Sequence, residues 1–312
     1  MVKIFLGKGG SDVEVSHRSR QRTRERIIAG VLLASGLISI LVTAGIVFAL
    51  ASETVGFFRL VSLKQFLTDP KWTPMFDPAH YGILSLLAGT TIIAVGSALV
   101  AVPLGLATAI YLSEYAPDRL RRVLKPVLEL LAGIPTVVYG YFALTFVTPL
   151  LQKLIPSLDV FNALSAFITV GIMITPLISS MSEDAMLAVP RSLREAAYAL
   201  GATRLEVAVK VVLPAAFSGV VASVILAVSR AVGETMIVAL AAGSTPKLSL
   251  NPLQSIQTMT GFIAQVSQGD LEAGSAAYKA IYTVGMSLFA TTLGLNLFAK
   301  WLTRRFQRGG RL

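Results

Sequence analysis

The stretch "AVSRAVGETM", residues 227–236, sets Arg230 and Glu234 four positions apart inside a run of Ala, Val, Ile and Leu. On a continuous helix that spacing puts both side chains on one face, one turn apart. An arginine near the bilayer centre costs roughly 3 kcal/mol on insertion scales. Desolvating a second charge beside it need not recover that cost, and Arg before Glu is the weaker order for an i,i+4 pair. A pair that fixes helix register is the simplest structural reading, but stabilisation alone is a poor reason to keep both. Anion handling is the chemistry that fits. A guanidinium offers paired N–H donors to two oxygens of an oxyanion, which a lysine ammonium does not. Glu234 would hold Arg230 between anions and keep the site from becoming a trap, because passage requires entry without capture. Ser229, Thr235 and Tyr139 are further donors nearby, each equally at home in ordinary helix packing.

Other reaction chemistry finds little material. The 312-residue chain has no cysteine and only two histidines, His17 and His80, too few for a His-based metal site. "GKGGS" near the N-terminus lacks the spacing of a phosphate-binding loop. The chain is therefore expected to have no catalytic residues, no metal and no cofactor of its own. Any ATP and Mg would belong to a partner chain.

Composition supplies the setting. The chain is 54% hydrophobic and 14% charged, against about 25% charged in soluble domains. An all-α, polytopic membrane protein is expected, with about six transmembrane helices at roughly 27–50, 84–112, 126–150, 162–181, 215–243 and 280–302. Basic residues cluster at 18–26, 119–125, 191–210 and 300–311, all on one side of this arrangement. The other side holds Arg59, Lys64, Lys71, Lys153, Lys247 and Lys279. The positive-inside rule then places both termini in the cytoplasm. It also accounts for the net charge of +10 through anionic lipid, without nucleic acid. The first span follows an Arg-rich segment, is too long for a cleaved signal, and reads as an uncleaved anchor.

The expected layout is a basic tail at 1–26, a first helix and outer loop at 27–83, a core at 84–302 and a second basic tail at 303–312. The outer segment "LTDPKWTPMFDPAHYG" reads either as an ordered loop or as an interfacial one, with Trp72 and Phe76 at headgroup level. Pro103, Pro135 and Pro176 fall inside spans, where each removes a backbone hydrogen bond. "AGIPTVVYG" (132–140) is the best hinge candidate, with Gly133 and Gly140 flanking Pro135.

The longest inner loop, 182–214, carries two S/T-x-x-E patterns, Ser192 with Glu195 and Thr203 with Glu206. Both read as capping boxes. Gly201 sits where a C′ glycine should end the first helix, and Pro214 where the next span should start. Helix, tight turn, helix and then the fifth span is the expected order. Physics alone allows an ordinary hairpin or a partner-docking helix with small residues Ala196, Ala197 and Ala199.

"EAAYALGATRLEVAVKVVLP" resembles the EAA loop of ABC importer permeases, with Glu195, Ala196, Ala197, Gly201, Leu213 and Pro214 in register and Val211 in place of the usual Ile. "VPLGLATAIYLSEYAP", "LKPVLELLAGIPTVVYGYFAL" and "RAVGETMIVALAAG" extend the likeness, over most of residues 20–302, to PstC-type permeases of phosphate importers. The resemblance implies a type I importer permease fold in a bacterial or archaeal inner membrane. It implies docking of an ATPase dimer (PstB-type) around Glu195, Ala196, Ala197 and Gly201, and a translocation path past Arg230 and Glu234. The implied partners are a second permease (PstA-type), a periplasmic phosphate-binding protein (PstS-type) and membrane lipid. Sulfate and molybdate permeases share the R-x-x-G-E pattern, usually followed by Phe instead of Thr235-Met236. Another oxyanion, or the PstA-type role, therefore stays an alternative, and a proton-coupled secondary transporter using Glu234 is a more distant one.

Overall fold

The computed structural model describes the backbone of residues 10–269 and 271–309 and the side chains of 24–269 and 271–303. Most of the two basic tails, including Lys3, Lys8, Arg18, Arg20, Arg22 and Arg304 onward, falls outside the described side chains. The chain divides into two units, 1–52 and 53–312. The first consists, where described, of helix α1 (Gly10–Phe58), whose last residues enter the second unit. An apolar window within Arg24–Phe58 is long enough to cross a bilayer, and its side chains, such as Leu32, Leu41 and Phe48, are exposed.

The second unit opens with α2 (Leu63–Thr68) and a short antiparallel hairpin, β1 (Trp72–Thr73) with β2 (His80–Tyr81). The hairpin is ordered by its own chemistry. Asp69 accepts from the Lys71 amide (2.9 Å) and pairs with His80 Nδ1 at 2.8 Å. Trp72 is an internal residue of an ordered loop. It is 1% exposed, packed edge-on against Phe66, Tyr81 and Phe262, while Phe76 is exposed. Each T-shaped pair of this kind is worth about 1 kcal/mol beyond burial.

Next come α3 (Leu84–Ile110), which widens into i→i+5 bonding at Tyr111–Tyr115, and α4 (Asp118–Ala132). A single apolar segment contains α5 (Thr136–Phe142), a wide turn at Ala143–Val147 and α6 (Thr148–Leu154). The span expected at 126–150 therefore begins about ten residues later, at Thr136. Residues 118–132 form instead a separate amphipathic helix with no fully buried residue, ended at Gly133–Pro135. Pro135 caps α5 from outside and does not lie within a span. α7 (Ala163–Leu187) follows, with Pro176 inside it, as Pro103 is inside α3. The α3–α7 contact is close at its glycines, Gly96 against Phe167, Gly105 against Ile178 and Gly171 against Val100. Small residues let membrane helices approach closely where no hydrophobic effect drives them together.

The EAA segment is α8 (Arg191–Ala199), a turn, α9 (Arg204–Glu206), a wide turn at Val207–Val212 and α10 (Leu213–Ala215). A 75° bend then leads into α11 (Phe217–Val232). Pro214 thus lies in the arm before the bend and does not open the span. The expected fifth span, 215–243, is also interrupted. α11 stops at Val232, Gly233–Thr235 are non-helical, and helical turns resume from Met236 to Ala242. α12 (Met259–Val266) and the long α13 (Ala276–Gly309) complete the unit. Counting the bent pair as one, up to six segments among the described residues are long and apolar enough to cross a membrane.

Candidate translocation site and docking surface

Gly233 ends α11 three residues after Arg230 and breaks the face that Arg230 and Glu234 were expected to share. The two charges are not paired. Glu234 is 7% exposed, and its Oε1 accepts from the amides of Met236 (3.0 Å) and Ile237 (3.2 Å). It works as the cap of the resumed helical turns, satisfying N–H groups that the break would orphan. Thr260, from α12, donates its hydroxyl to the Glu234 carbonyl at 2.6 Å and so fixes the break from outside. Arg230 is exposed and has no ion pair within 4.0 Å among the described residues. Its guanidinium is thus not held by a carboxylate among the described residues.

The two motifs singled out in the sequence meet here. Gly140 of α5 lies against the resumed turns, where a β-carbon would come within 2.8 Å of Leu240 Cδ1 and 3.1 Å of both Ile237 Cα and Met236 O. Tyr139 is within electrostatic reach of Arg230, and its hydroxyl donates to the Leu131 carbonyl at 2.8 Å, bridging the Gly133–Pro135 break. Ser229 donates to Asn296 of α13 (3.2 Å) and Thr235 to the Gly233 carbonyl (3.2 Å), so both hydroxyls hold structure here.

At the bend end of the bundle, α8 is finished by a left-handed Gly201 (φ +85°). The Gly201 amide bonds Tyr198 O (2.9 Å) and the Ala202 amide bonds Ala197 O (3.1 Å), the Schellman arrangement. The Thr203–Glu206 capping box forms with both reciprocal bonds. The Ser192–Glu195 box does not form, because Pro190 precedes the first turn and α8 already begins at Arg191. Glu195, Ala196, Leu200 and Gly201 are exposed, Leu200 by 89%. Ala197 turns the other way and packs on a cluster containing Ala109, Met186 and Val212.

Arg194, counted from sequence only as a basic loop residue, clasps α8 to the bundle. It bonds Glu114 Oε1 through Nε (3.2 Å) and Nη2 (3.1 Å), Met186 O (2.7 Å) and Val189 O (2.6 Å). Glu114 is 4% exposed. A second cluster joins α4 to α7: fully buried Glu183 lies 3.6 Å from Arg121 Nε and 3.3 Å from Lys125 Nζ. Lys125 also bonds Asp184 at 2.6 Å. Burial alone would lower the Lys125 pKa, but contact with Asp184 and Glu183 outweighs it and raises the value above that of an ordinary lysine. The only sequence signal for these groups was a carboxylate at the end of an apolar run, as in "LSEYAP" and "SSMSEDAML".

A helical bundle of this build, with several apolar segments of membrane-spanning length, an exposed arginine beside a break in one of them and a clasped two-helix arm, is that of a multi-pass membrane protein. The chain belongs to the family described as binding-protein-dependent transport system inner membrane component, which residues 101–309 match. It is 36% identical over 301 residues to a probable ABC transporter permease, YqgH, of Bacillus subtilis, covering 94% of this chain and 97% of that one. It is 34% identical over 264 residues to the phosphate transport system permease PstC of Xylella fastidiosa, covering 78% and 80%. Its fold matches that of a bacterial ABC transporter involved in the import of the acidic polysaccharide alginate, with a TM-score of 0.63 at 15% identity over 93% of this chain and 99% of that one. The protein is thus an ABC importer permease of the inner membrane.

Proposed function

We propose that this permease imports phosphate, as half of a transmembrane pathway completed by a second, PstA-type permease. The observation that carries the reading is Arg230, exposed at the end of α11 with its neighbour Glu234 committed elsewhere. An unpaired guanidinium is a ready donor to a tetrahedral oxyanion, and its planar N–H groups bind two oxygens at once. The likeness to PstC of Xylella fastidiosa supports phosphate as that anion. The basic clusters support a cytoplasmic position for both termini and α8. There the exposed tip of α8, from Glu195 and Ala196 to Leu200 and Gly201, docks an ATPase dimer that holds the ATP and Mg. A periplasmic binding protein delivers phosphate to the opposite face. This chain contributes the path and the lever, and no hydrolytic chemistry.

The test is uptake of radiolabelled phosphate into vesicles containing both permeases, the ATPase and the binding protein. ATP inside the vesicles should drive accumulation that excess sulfate or molybdate leaves intact. Competition by either anion at equal concentration would reassign the substrate. Uptake driven by a proton gradient without ATPase would overturn the importer reading itself.

A further inference from the structure

Glu183 is the least expected charge in the bundle. It is fully buried one turn from the C-terminal end of α7, where the helix dipole disfavours an anion. Neither of its oxygens makes a hydrogen bond. Lys125, 3.3 Å away, spends its short bond on the exposed Asp184 instead. Ser179, one turn earlier on α7, is likewise buried with its hydroxyl unpartnered. Hydrogen bonds left unmade on buried polar atoms are costly. The α4–α7 contact is therefore not at its electrostatic optimum, and a small movement of α4 would close it.

What holds the contact open is legible at the surface. Arg121 is about one-third exposed and divides itself between Glu183 (3.6 Å) and Asp118 (4.0 Å). It also lines a polar cleft of about 360 Å³ together with Glu114, Arg191, Arg194, Glu195 and Tyr198. That cleft borders the exposed tip of α8. At the far end of α4, the Leu131 carbonyl is tied to the Tyr139 hydroxyl at 2.8 Å.

We propose that Glu183 is a positioning residue through which occupancy of the cleft beside α8 is converted into movement of α4, and through Leu131 and Tyr139 into movement of α5. The inference rests on the reading of this chain as an ATPase-docked permease. A docked partner that engages Arg121 draws it from Glu183. The buried carboxylate then has Lys125 alone, and Lys125 exchanges Asp184 for it. α4 shifts with Lys125, and the elbow at Gly133–Pro135 carries the shift to α5.

The absence of native cysteine makes a direct test available. Spin labels at Glu129→Cys on α4 and Ala188→Cys at the end of α7, both exposed positions, report the α4–α7 distance in the assembled transporter. ATP should change that distance in the otherwise unaltered complex. Glu183→Gln should remove the change while ATPase co-purification persists, and Arg121→Gln should remove it as well. Tyr139→Phe should leave the α4 movement intact and lower the amount transported per ATP hydrolysed. An ATP-driven distance change that survives Arg121→Gln overturns the proposal, even if Glu183→Gln fails to assemble, as does a parent complex in which ATP moves nothing. The readout needs nucleotide and not phosphate. A transporter that carries another oxyanion therefore still answers it, whereas failure of any ATPase to bind the parent chain counts against the functional reading instead.

Discussion

Glu234 gives its carboxylate to the amides of Met236 and Ile237, and Arg230, four residues earlier, remains exposed without it. The pair is therefore not a salt bridge that an incoming anion must break. It consists of two devices placed side by side, a cap that stabilises a broken helix and a cation that the break leaves presented. Broken helices at membrane depth are tolerated where the freed backbone groups find partners. Here the Glu234 carboxylate and the Thr260 hydroxyl supply them.

Stability measurements separate the two devices. Glu234→Ala should cost about 1 kcal/mol, the typical value of a lost cap, whereas Arg230→Ala should stay within about 0.5 kcal/mol of the parent. The double variant should be additive to about 0.5 kcal/mol, as for residues with no shared contact. A larger coupling energy in thermal unfolding would restore the salt bridge.

Transport should show the reverse ranking. Arg230→Ala should abolish uptake in an assembled complex. Arg230→Lys keeps the charge but loses the fork. Loss of one charge-assisted bond, about 1.5 kcal/mol, corresponds to roughly tenfold in apparent affinity for the anion. Equal uptake affinities for the Arg and Lys forms, measured over a phosphate titration, would remove the bidentate role.

Gly140→Ala probes the meeting of the two motifs. Its new methyl would press on Ile237 Cα and Met236 O, backbone atoms with no rotamer to change. Overpacking of this kind costs about 1–3 kcal/mol. Uptake should fall with stability, because the displaced turns are those Glu234 caps. Full activity at unchanged melting temperature would mean that α5 yields freely.

Local signals were legible in the sequence and long-range ones were not. Gly201 and the Thr203–Glu206 box depend on residues within one turn, and they form as read. Ser192 and Glu195 have the same spacing, but the chain enters α8 through Pro190 and Arg194 fixes the helix from its bundle side. The break at Gly233 is hidden in an apolar run. Thr260 holds it, 26 residues further on, and it faces the close approach of Gly140. The start of the third span was misplaced for a related reason. An amphipathic α4 followed by an apolar α5 reads as one hydrophobic stretch until the Tyr139–Leu131 bond and Pro135 mark the elbow. Arg194, Glu114 and Glu183 owe their roles to partners tens of residues away, which spacing does not disclose.

The hairpin before α3 should be acid-labile in a definite direction. Burial by itself would raise the Asp69 carboxyl, but the Lys71 amide and His80 outweigh it and leave the pKa below the ordinary 3.8. A depressed carboxyl stabilises above its unfolded value and loses that contribution as pH falls below 3.8 toward the folded value. Trp72 is a local reporter once the second tryptophan is removed by Trp301→Phe. Its emission should shift to the red below pH 3.8. In Asp69→Asn it should already be shifted at neutral pH and change less on acidification. A parent protein with no acid step would show that the Asp69–His80 contact does not order the hairpin.

Docking offers the sharpest division between fold and function at the α8 tip. Leu200 is 89% exposed and precedes a glycine whose surroundings are empty, with nothing within 4 Å of an added β-carbon. Leu200→Ser removes an apolar knob that the bundle does not use, so the melting temperature should not move. Gly201→Ala forces a side chain into the left-handed region and should cost about 1 kcal/mol, though it meets no neighbour. If α8 enters a groove on the ATPase, Leu200→Ser should weaken co-purification more than Gly201→Ala does, despite being the milder change to the fold. Ala197→Ser should do the opposite, because Ala197 faces its own bundle. It should lower stability and spare the contact. Co-purification that follows melting temperature across all three variants, and not exposure, would mean that the partner binds elsewhere and that the tip of α8 is only a well-made turn.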